Sequence, residues 1–353
     1  MPALRFAKSF RSRLPGIATS TTLSRMAWAP SYRAPRAVDV LHPSHDIFPT
    51  HATWADVGAK DVATENGRVE PLSLSGRSFI ALAGPLVESN PPREIRLVAV
   101  KWYLDELAAC AHLSRVERLN LAGNRIGPEG LRLLAGSPHL AAIHLDLSTN
   151  NLGSDGLAAL LSAPWRHQLR GLNLARNGLD PNDLRNLLAE LPGLVDLDLA
   201  GNPIGPNAID VLAKRGRWTR LRLSETGLEA DGLAALVSLD ELDISFNALG
   251  NRVLDQLPRV RVLSLRGNRL TRLDGLSLAD IESLDLGVNA FGDEALLALA
   301  AEPGWESLRH LDLTNTWITH SSVQPLHASG RFRGLDRLCL DWNPAVDTFE
   351  SPR

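Results

Sequence analysis

The chain has 353 residues, of which 44% are hydrophobic and 22% charged, which is ordinary for a folded protein with a sizeable core. Its formal net charge of −3 argues against a nucleic-acid or membrane partner, and no apolar run reaches the roughly 18–20 residues that span a bilayer. Two cysteines, Cys110 and Cys339, exclude a disulfide framework and a clustered-cysteine metal site. We therefore expect a soluble protein of a reducing compartment without a metal or other cofactor.

The first part of the chain differs in composition from the rest. Residues 1–38 carry seven basic side chains and no acidic one. A secretory signal would need a continuous apolar segment, which is missing, so the segment is either a disordered tail or misassigned start, or an organellar transit peptide. We predict that residues 1–67 form a basic leader with a degenerate N-terminal cap, and that the protein is cytoplasmic unless the leader directs it to an organelle.

A repeat organises the remainder of the chain. Three matching stretches read VERLNLAGNRIG (116–127), LRGLNLARNGLD (169–180) and LVDLDLAGNPIG (194–205). Two degenerate units begin at Leu72 and Ile95, and the spacing of all the units is 21–27 residues. The first leucines of the ten clear units are Leu119, Leu145, Leu172, Leu197, Leu221, Leu242, Leu263, Leu284, Leu311 and Leu338.

These twelve units resemble the LxxLxLxxNxL unit of leucine-rich repeat proteins, over about residues 68–346. The longer units are similar to those of the ribonuclease-inhibitor-like group, and the middle ones to shorter bacterial-type units. The segment 69–100 resembles the entry region of bacterial repeat-companion leucine-rich proteins. The resemblance implies an α/β solenoid of horseshoe form, with a parallel sheet on its concave face, helices and short turns on its convex face, and a protein partner. Residues 347–353 would be a C-terminal tail.

The fixed positions of the unit have structural explanations. The two leucines of each LxL pair are two residues apart on a strand, so both point into the coil, where they stack on those of neighbouring units. The Asn that follows can donate and accept hydrogen bonds at a buried turn. We therefore predict a structural ladder, with Thr226 and Thr316 as weaker substitutes, formed by Asn124, Asn150, Asn177, Asn202, Asn247, Asn268, Asn289 and Asn343.

The convex layer should vary along the array. The units that begin at Leu221, Leu242 and Leu263 have only 21 residues, so single turns are expected there. Aromatic residues that recur just before a strand are interpreted as lids over the core: Trp165, Trp218, Trp305 and Phe332. Helix-start residues and leucines at i, i+3 or i+4 spacing predict helices over 127–136, 154–163, 181–191 and 292–302.

The variable positions carry the functional signal. The residue between the two leucines faces outward from the sheet, and five of its twelve occurrences are Asp. This acidic column is either a docking strip for a partner with basic side chains or a solvated surface balanced by neighbouring arginines. Phe246 and Trp342 are either aromatic anchors or covers over a turn. The predicted partner-binding residues are Asp146, Asp196, Asp198, Arg220, Arg222, Glu241, Asp243, Phe246, Asp285, Asp312 and Trp342.

Catalysis is not expected. His144, Asp146 and Ser148 share a strand face, as do His310, Asp312 and Thr314, but same-face neighbours on a strand lie about 7 Å apart, too far for a hydrolytic triad. We therefore predict a non-catalytic protein–protein interaction scaffold. The alternatives are a GTPase-activating or GTPase-regulating module that uses Arg220 and Arg222, and a secreted or surface recognition protein, against which the missing apolar segment argues.

The end of the array raises a separate expectation. A solenoid needs a polar cap at its ends, yet no capping unit follows the last repeat. We predict that Trp342 and Val346 partly cover the last coil, or that this end docks on another chain.

Overall fold

The leucines that recur every 21–27 residues align side by side in one sheet. The computed structural model describes residues 64–65, 68–69, 72–89, 94–237 and 239–344, all within the unit Val38–Arg353. Strands β3 to β14 form a twelve-stranded parallel sheet in chain order. Leu119 pairs with Leu145, Leu145 with Leu172, and so on to Leu338. The predicted twelve units and their register are confirmed.

The strands are short because each unit turns away from the sheet after about three residues. β1 and β2 form a separate antiparallel pair. The bounds are β1 Thr64–Glu65, β2 Arg68–Val69, β3 Leu72–Ser75, β4 Glu94–Val98, β5 Arg118–Asn120, β6 His144–Asp146, β7 Gly171–Asn173, β8 Asp196–Asp198, β9 Arg220–Arg222, β10 Glu241–Asp243, β11 Val262–Ser264, β12 Ser283–Asp285, β13 His310–Asp312 and β14 Arg337–Cys339.

Helices form the second layer, packed on the core side of the sheet. The four predicted helices are present as α3, α4, α5 and α7, with ends within two residues of the prediction. No helix among the described residues is long and apolar enough to cross a membrane. The bounds are α1 Gly76–Ser89, α2 Leu104–Ala108, α3 Gly127–Ala135, α4 Gly153–Ser162, α5 Pro181–Glu190, α6 Ala208–Ala213, α7 Gly292–Ala301 and α8 His320–Ala328.

The other four helices were not predicted from the sequence. α8 contains Pro325, which ordinarily interrupts a helix, and begins at Thr319, whose hydroxyl accepts a hydrogen bond from the Ser321 N–H at 3.1 Å. α2 and α6 have only five and six residues, too few for a periodic pattern. α1 lies in the segment that we interpreted only as an entry region.

The short units have the thin convex layer that was predicted. The unit that begins at Leu221 has a single 3-10 turn, Leu233–Ala235, and the next has Asn251–Gln256. Between β11 and β12 every residue is described and none is helical. The number of residues in a unit therefore determines whether a helix forms on its convex side, since the strand and the turn after it use a fixed number of residues.

The asparagine ladder is confirmed. Each of its eight side chains is at most 9% exposed. The side-chain oxygen of Asn150 accepts from the Asn124 N–H at 3.0 Å, and its amide donates to the carbonyls of Leu121 and Leu147 at 2.9 and 3.0 Å. Each Asn thus connects two coils. At Thr226 the hydroxyl donates to Leu223 and to Asn247, and no bond to it from the Asn202 N–H is present, so the ladder weakens there as expected.

The residue before each ladder position has a left-handed backbone. Gly123, Gly201 and Gly267 fill it in three units, with φ of 73°, 68° and 64°. Glycine takes this conformation without the steric cost that a Cβ brings. Seven other units hold a side chain there with φ of 54–61°: Thr149, Arg176, Glu225, Phe246, Val288, Asn315 and Trp342.

The predicted aromatic lids are buried. Trp165, Trp218, Trp305 and Phe332 are each at most 4% exposed. The indole N–H of Trp218 donates to the Leu212 carbonyl at 3.0 Å, and that of Trp305 to Leu299 at 3.1 Å, so each lid closes the end of the preceding helix. These residues belong to the core.

The prediction for the end of the array is wrong in one respect. Trp342 does not cover the last coil, because it is 75% exposed. Val346 lies outside the described residues, as do the predicted tail (347–353) and nearly all of the predicted leader (1–67). The sheet itself lies inside the predicted solenoid boundaries, 68–346, which stay predictions.

Candidate partner-binding face

The outward-facing side of the twelve-stranded sheet, which we call the open face, carries most of the predicted binding residues. Its central column holds the residue between the two leucines of each strand, and the strand register places these residues side by side. β8, β9 and β10 bring Asp196, Arg220 and Glu241 into one row, and Asp198, Arg222 and Asp243 into the next. The charges therefore alternate in space as minus, plus, minus across these three strands, except that they are carried by two rows of side chains.

Each Asp of the central column has a structural role that sequence reasoning missed. Its side-chain oxygen Oδ1 accepts a hydrogen bond from the backbone N–H two residues later, which closes the turn as the strand ends. The bond is 2.8–3.0 Å long in all five units: Asp146, Asp198, Asp243, Asp285 and Asp312. This bond could have been predicted from the sequence, because Asp and Asn are residues whose side chains form such local hydrogen bonds with the backbone.

Two units make the same bond with an amide instead of a carboxylate. The side chain of Asn120 accepts from the Ala122 N–H and that of Asn173 from the Ala175 N–H, both at 2.9 Å. The backbone bond therefore does not require a negative charge. A separate explanation is needed for the charges of Asp146, Asp198 and Asp243, which have no ion pair within the described residues.

The surroundings of this column disfavour ionisation. Burial raises the pKa of Asp198 and that of Asp285 to about 6 each, against the hydrogen bonds and arginines that lower them. Burial also raises the pKa of Asp243. Asp312 contributes to the shift at Asp285, since the two carboxylates lie on paired strands. Holding these groups ionised at neutral pH thus costs folding free energy.

The two arginines of β9 are held by carboxylates of the neighbouring strands. Arg220 pairs with Asp196 at 2.5 Å. Arg222 donates through Nε and Nη2 to one oxygen of Glu241, at 2.9 and 2.6 Å. Both arginine side chains are about a third exposed, at 35% and 36%. Because the guanidinium groups pair with the outer carboxylates, the central carboxylates of Asp198 and Asp243 have no ion pair within the described residues.

A third arginine lies further along the face. Arg266 is 3% exposed, and its Nη1 is 3.4 Å from Asp285 and 3.5 Å from Asp312. Its side chain passes over Gly287, where a Cβ would lie 2.2 Å from Nη1. Gly287 therefore makes room for this bridge between β11, β12 and β13.

The two His-Asp-Ser/Thr triplets do not form catalytic groups. The carboxylate of Asp146 bonds to the backbone of Ser148, and that of Asp312 to the backbone of Thr314 at 2.8 Å. His144 stacks over Gly171, and burial lowers its pKa, so the imidazole is neutral at pH 7. Among the described residues, no three acidic, His or Cys side chains are placed to hold a metal ion. The half-buried Cys110 and Cys339 are both free thiols.

The two predicted aromatic residues differ in their surroundings. Phe246 is partly buried, and its ring lies over Gly267 of the next unit, where a Cβ would be 2.4 Å from Cδ1, so it covers a turn. Trp342 is open to solvent, as is Trp317 at 66% exposure. Trp317 was not predicted as a binding residue, although the sequence shows that it directly follows the ladder residue Thr316.

Comparisons with known proteins match the repeat rather than any single function. A family model described as "Leucine Rich repeat" matches residues 112–135, 143–161 and 277–300. The chain is 30% identical to Tonsoku-like protein of Mus musculus over 269 residues, which cover 64% of this chain and 18% of that protein. It is 28% identical to NACHT, LRR and PYD domains-containing protein 12 of Mus musculus over 348 residues, which cover 74% of this chain and 32% of that protein.

Similar chains are also found among solved structures. An internalin from Listeria monocytogenes is 19% identical, with a TM-score of 0.47, and the match covers 78% of this chain and 71% of the internalin. The chain spans about a fifth to a third of the length of the two curated relatives described above, and the subgroup within the repeat class stays a prediction. The family-model matches, the repeat spacing and the register of twelve parallel strands together identify the chain as a leucine-rich repeat protein.

Proposed function

We propose that the protein is a non-catalytic protein-interaction scaffold whose open face binds a partner segment with basic side chains. The observation that carries the proposal is that Asp and Asn make the same backbone bond in the central column. The fold needs an acceptor at this position, and Asn173 supplies one without charge. Asp198, Asp243 and Asp285 are ionisable residues at this position although burial raises the pKa of each carboxyl and so disfavours its charged form.

The spacing of the carboxylates suits several separate cations. Neighbouring strands lie about 4.8 Å apart, and the column has Asp on alternate strands β6, β8, β10 and β12, so successive carboxylates are about 10 Å apart. Each Oδ1 is used by the backbone, which leaves Oδ2 of Asp146, Asp198 and Asp243 to accept from a partner. Oδ2 of Asp285 also accepts from the Ser264 hydroxyl at 3.4 Å. Lys and Arg side chains are long enough to reach such sites from a backbone that runs across the strands.

No specific observation favours the GTPase-regulating alternative. A residue that completes a partner's active site must be free to extend toward it, whereas Arg220 and Arg222 pair with Asp196 and Glu241. In the proposed function these arginines instead set the register, because a basic partner would be repelled from β9 and attracted to β8 and β10.

The experiment that tests this proposal is affinity capture from native lysate with cross-linking and mass spectrometry. The test variant is Asp198→Asn/Asp243→Asn/Asp285→Asn, which keeps the three backbone acceptors and removes three charges. The matched control is Asp155→Asn/Asp210→Asn/Asp231→Asn, which removes three charges from exposed sites in the convex layer.

We expect wild type and the control to capture the same partner, cross-linked to the open face, and the test variant to lose it. Capture of the same proteins by all three, or cross-links only to the convex layer, would contradict the proposal.

A further inference from the structure

Two tryptophans are exposed to solvent near the end of the array. Trp342 and Trp317 are 75% and 66% exposed, and they belong to adjacent coils. The Asn315 N–H donates to the Asp341 carbonyl at 2.9 Å, which places Trp342 beside Asn315, two residues from Trp317. One coil earlier, Val288 occupies the same position as Asn315 and is 36% exposed. We call Val288, Trp317 and Trp342 the aromatic rim.

All three rim residues have a left-handed backbone, with φ of 57°, 67° and 61°. This conformation is unfavourable for large side chains and most of all for a β-branched one. Glycine occupies the position of Val288 and Trp342 in three other units. Neither the backbone conformation nor core packing therefore requires large apolar side chains at the rim.

The charge beside the rim is negative. Asp341 directly precedes Trp342 and is exposed, and Asp312 lies on the paired strand with its side chain 29% exposed. Arg337 at the start of β14 interacts electrostatically with both carboxylates, and Arg266 Nη1 lies 3.5 Å from Asp312. Asp341 is therefore the carboxylate beside the rim that has no ion pair among the described residues. Indole faces next to carboxylates are suited to a cationic side chain, above all the planar guanidinium of arginine.

Other tryptophans of this chain already hold cations. Lys101 Nζ lies 5.5 Å from the ring centre of Trp102, and the Arg215 guanidinium 5.2 Å from that of Trp218. In the part of the chain that the structure describes, no cation stacks on Trp317 or Trp342. We propose that the aromatic rim anchors an arginine side chain of the partner that binds the open face. This inference rests on the proposed function and adds an anchor point to it.

A second copy of the chain is a weaker candidate for the rim. A tryptophan buries about 150–250 Å² at most, so two of them supply well under the roughly 800 Å² that each partner contributes to a stable complex.

The test uses a synthetic peptide of alternating glycine and arginine with five arginines, and measures its affinity by calorimetry. The rim variants are Trp317→Ala and Trp342→Ala. The matched control is Trp102→Ala, because Trp102 is 78% exposed and lies at the other end of the array. A peptide with citrulline in place of arginine keeps the planar shape and removes the charge. Melting temperatures confirm that each variant is folded.

We expect each rim variant to bind the arginine peptide about three- to tenfold more weakly than wild type. Trp102→Ala should match wild type, Trp342→Phe should recover part of the affinity, and the citrulline peptide should not bind.

Rim variants that bind like wild type, while Asp198→Asn/Asp243→Asn/Asp285→Asn binds weakly, would overturn the anchor and leave the proposed function standing. Weak binding by the rim variants with full binding by the triple variant would support the anchor and contradict the role of the acidic column. No binding to wild type at millimolar peptide would overturn the anchor, and the capture experiment would then decide the proposed function independently.

Discussion

Arg222 gives its two strongest hydrogen bonds to Glu241 and not to either of its register neighbours. Both donors reach one carboxylate oxygen, at 2.6 and 2.9 Å, while Asp198 and Asp243 lie on the strands directly beside it. The pairing satisfies the outer edge of the face and leaves the central carboxylates to the backbone and to solvent. The open face therefore presents its central carboxylates between ion-paired outer residues, and a basic partner segment would bind to these central carboxylates.

The first prediction concerns stability. Asp198→Asn should raise the free energy of unfolding at pH 7 by about 2 kcal/mol, because it keeps the bond from the Ala200 N–H and removes a charge that burial disfavours. The reverse change, Asn173→Asp, should lower stability at pH 7. Urea denaturation followed by circular dichroism measures both. A destabilised Asp198→Asn would mean that the charge itself supports the fold.

The second prediction is the pH dependence that follows. The folded-state pKa of Asp198 and of Asp285 is about 6, above that of an unfolded aspartate near 4. The folded protein therefore binds more protons between these values, and the contribution of both groups to stability falls as pH rises from about 4 to about 6. The double variant Asp198→Asn/Asp285→Asn should remove this part of the profile. An unchanged profile would contradict the raised pKa values.

The affinity for the arginine peptide should change with pH in the opposite direction to stability. The arginine peptide should bind more weakly as pH falls from 7 to 5, since protonation of Asp198 and Asp285 removes two negative charges from the open face. The His144 imidazole also gains a positive charge below its lowered pKa, which adds repulsion at the most acidic end. Calorimetric titrations at four pH values test this expectation. An affinity that is constant across this pH range would show that the peptide does not bind to the acidic column of the open face.

The third prediction tests the ladder. Asn177→Ala removes the acceptor for the backbone N–H groups of Asn150 and Leu152, and the donor to the Leu147 and Leu174 carbonyls. The loss should be about 3 kcal/mol or more, because several buried polar groups are left without partners. Asn207→Ala, at an exposed site with no capping bond, is the control. Equal stability of the two variants would contradict the account of the ladder.

The fourth prediction separates strain from binding. Val288→Gly and Thr149→Gly should each stabilise the protein by about 1 kcal/mol, since both replace a β-branched residue with left-handed φ. Only Val288→Gly should weaken binding of the arginine peptide, because Thr149 follows β6 and Val288 follows β12, six strands away. Thermal denaturation and calorimetry on the same samples give both quantities. Equal peptide affinities would remove Val288 from the rim.

The repeat made most of the fold predictable. The offsets of Leu119, Leu121 and Asn124 determine the strand, the core face and the ladder, and the spacing between units determines how many coils there are and where helices fit. These features follow from local periodicity, which is visible in one sequence. α8 escaped prediction because Pro325 interrupts the pattern while packing against neighbouring coils still keeps the segment helical.

The candidate face was less predictable for a physical reason. Its column of Asp was visible, but the hydrogen bond that Asp198 accepts from the Ala200 N–H depends on the turn geometry. The choice of Glu241 over Asp198 by Arg222 depends on rotamers. Likewise, the sequence does not show that Trp342 is exposed whereas Phe246, at the same position of its unit, is partly buried.

The most direct test measures stability and partner capture on one preparation of Asp198→Asn/Asp243→Asn/Asp285→Asn. The central claim is that these charges serve binding and not folding. The account predicts a protein that unfolds at higher urea concentration than wild type at pH 7 and no longer captures the partner. A variant that is less stable than wild type, or one that captures the partner as wild type does, would contradict the claim.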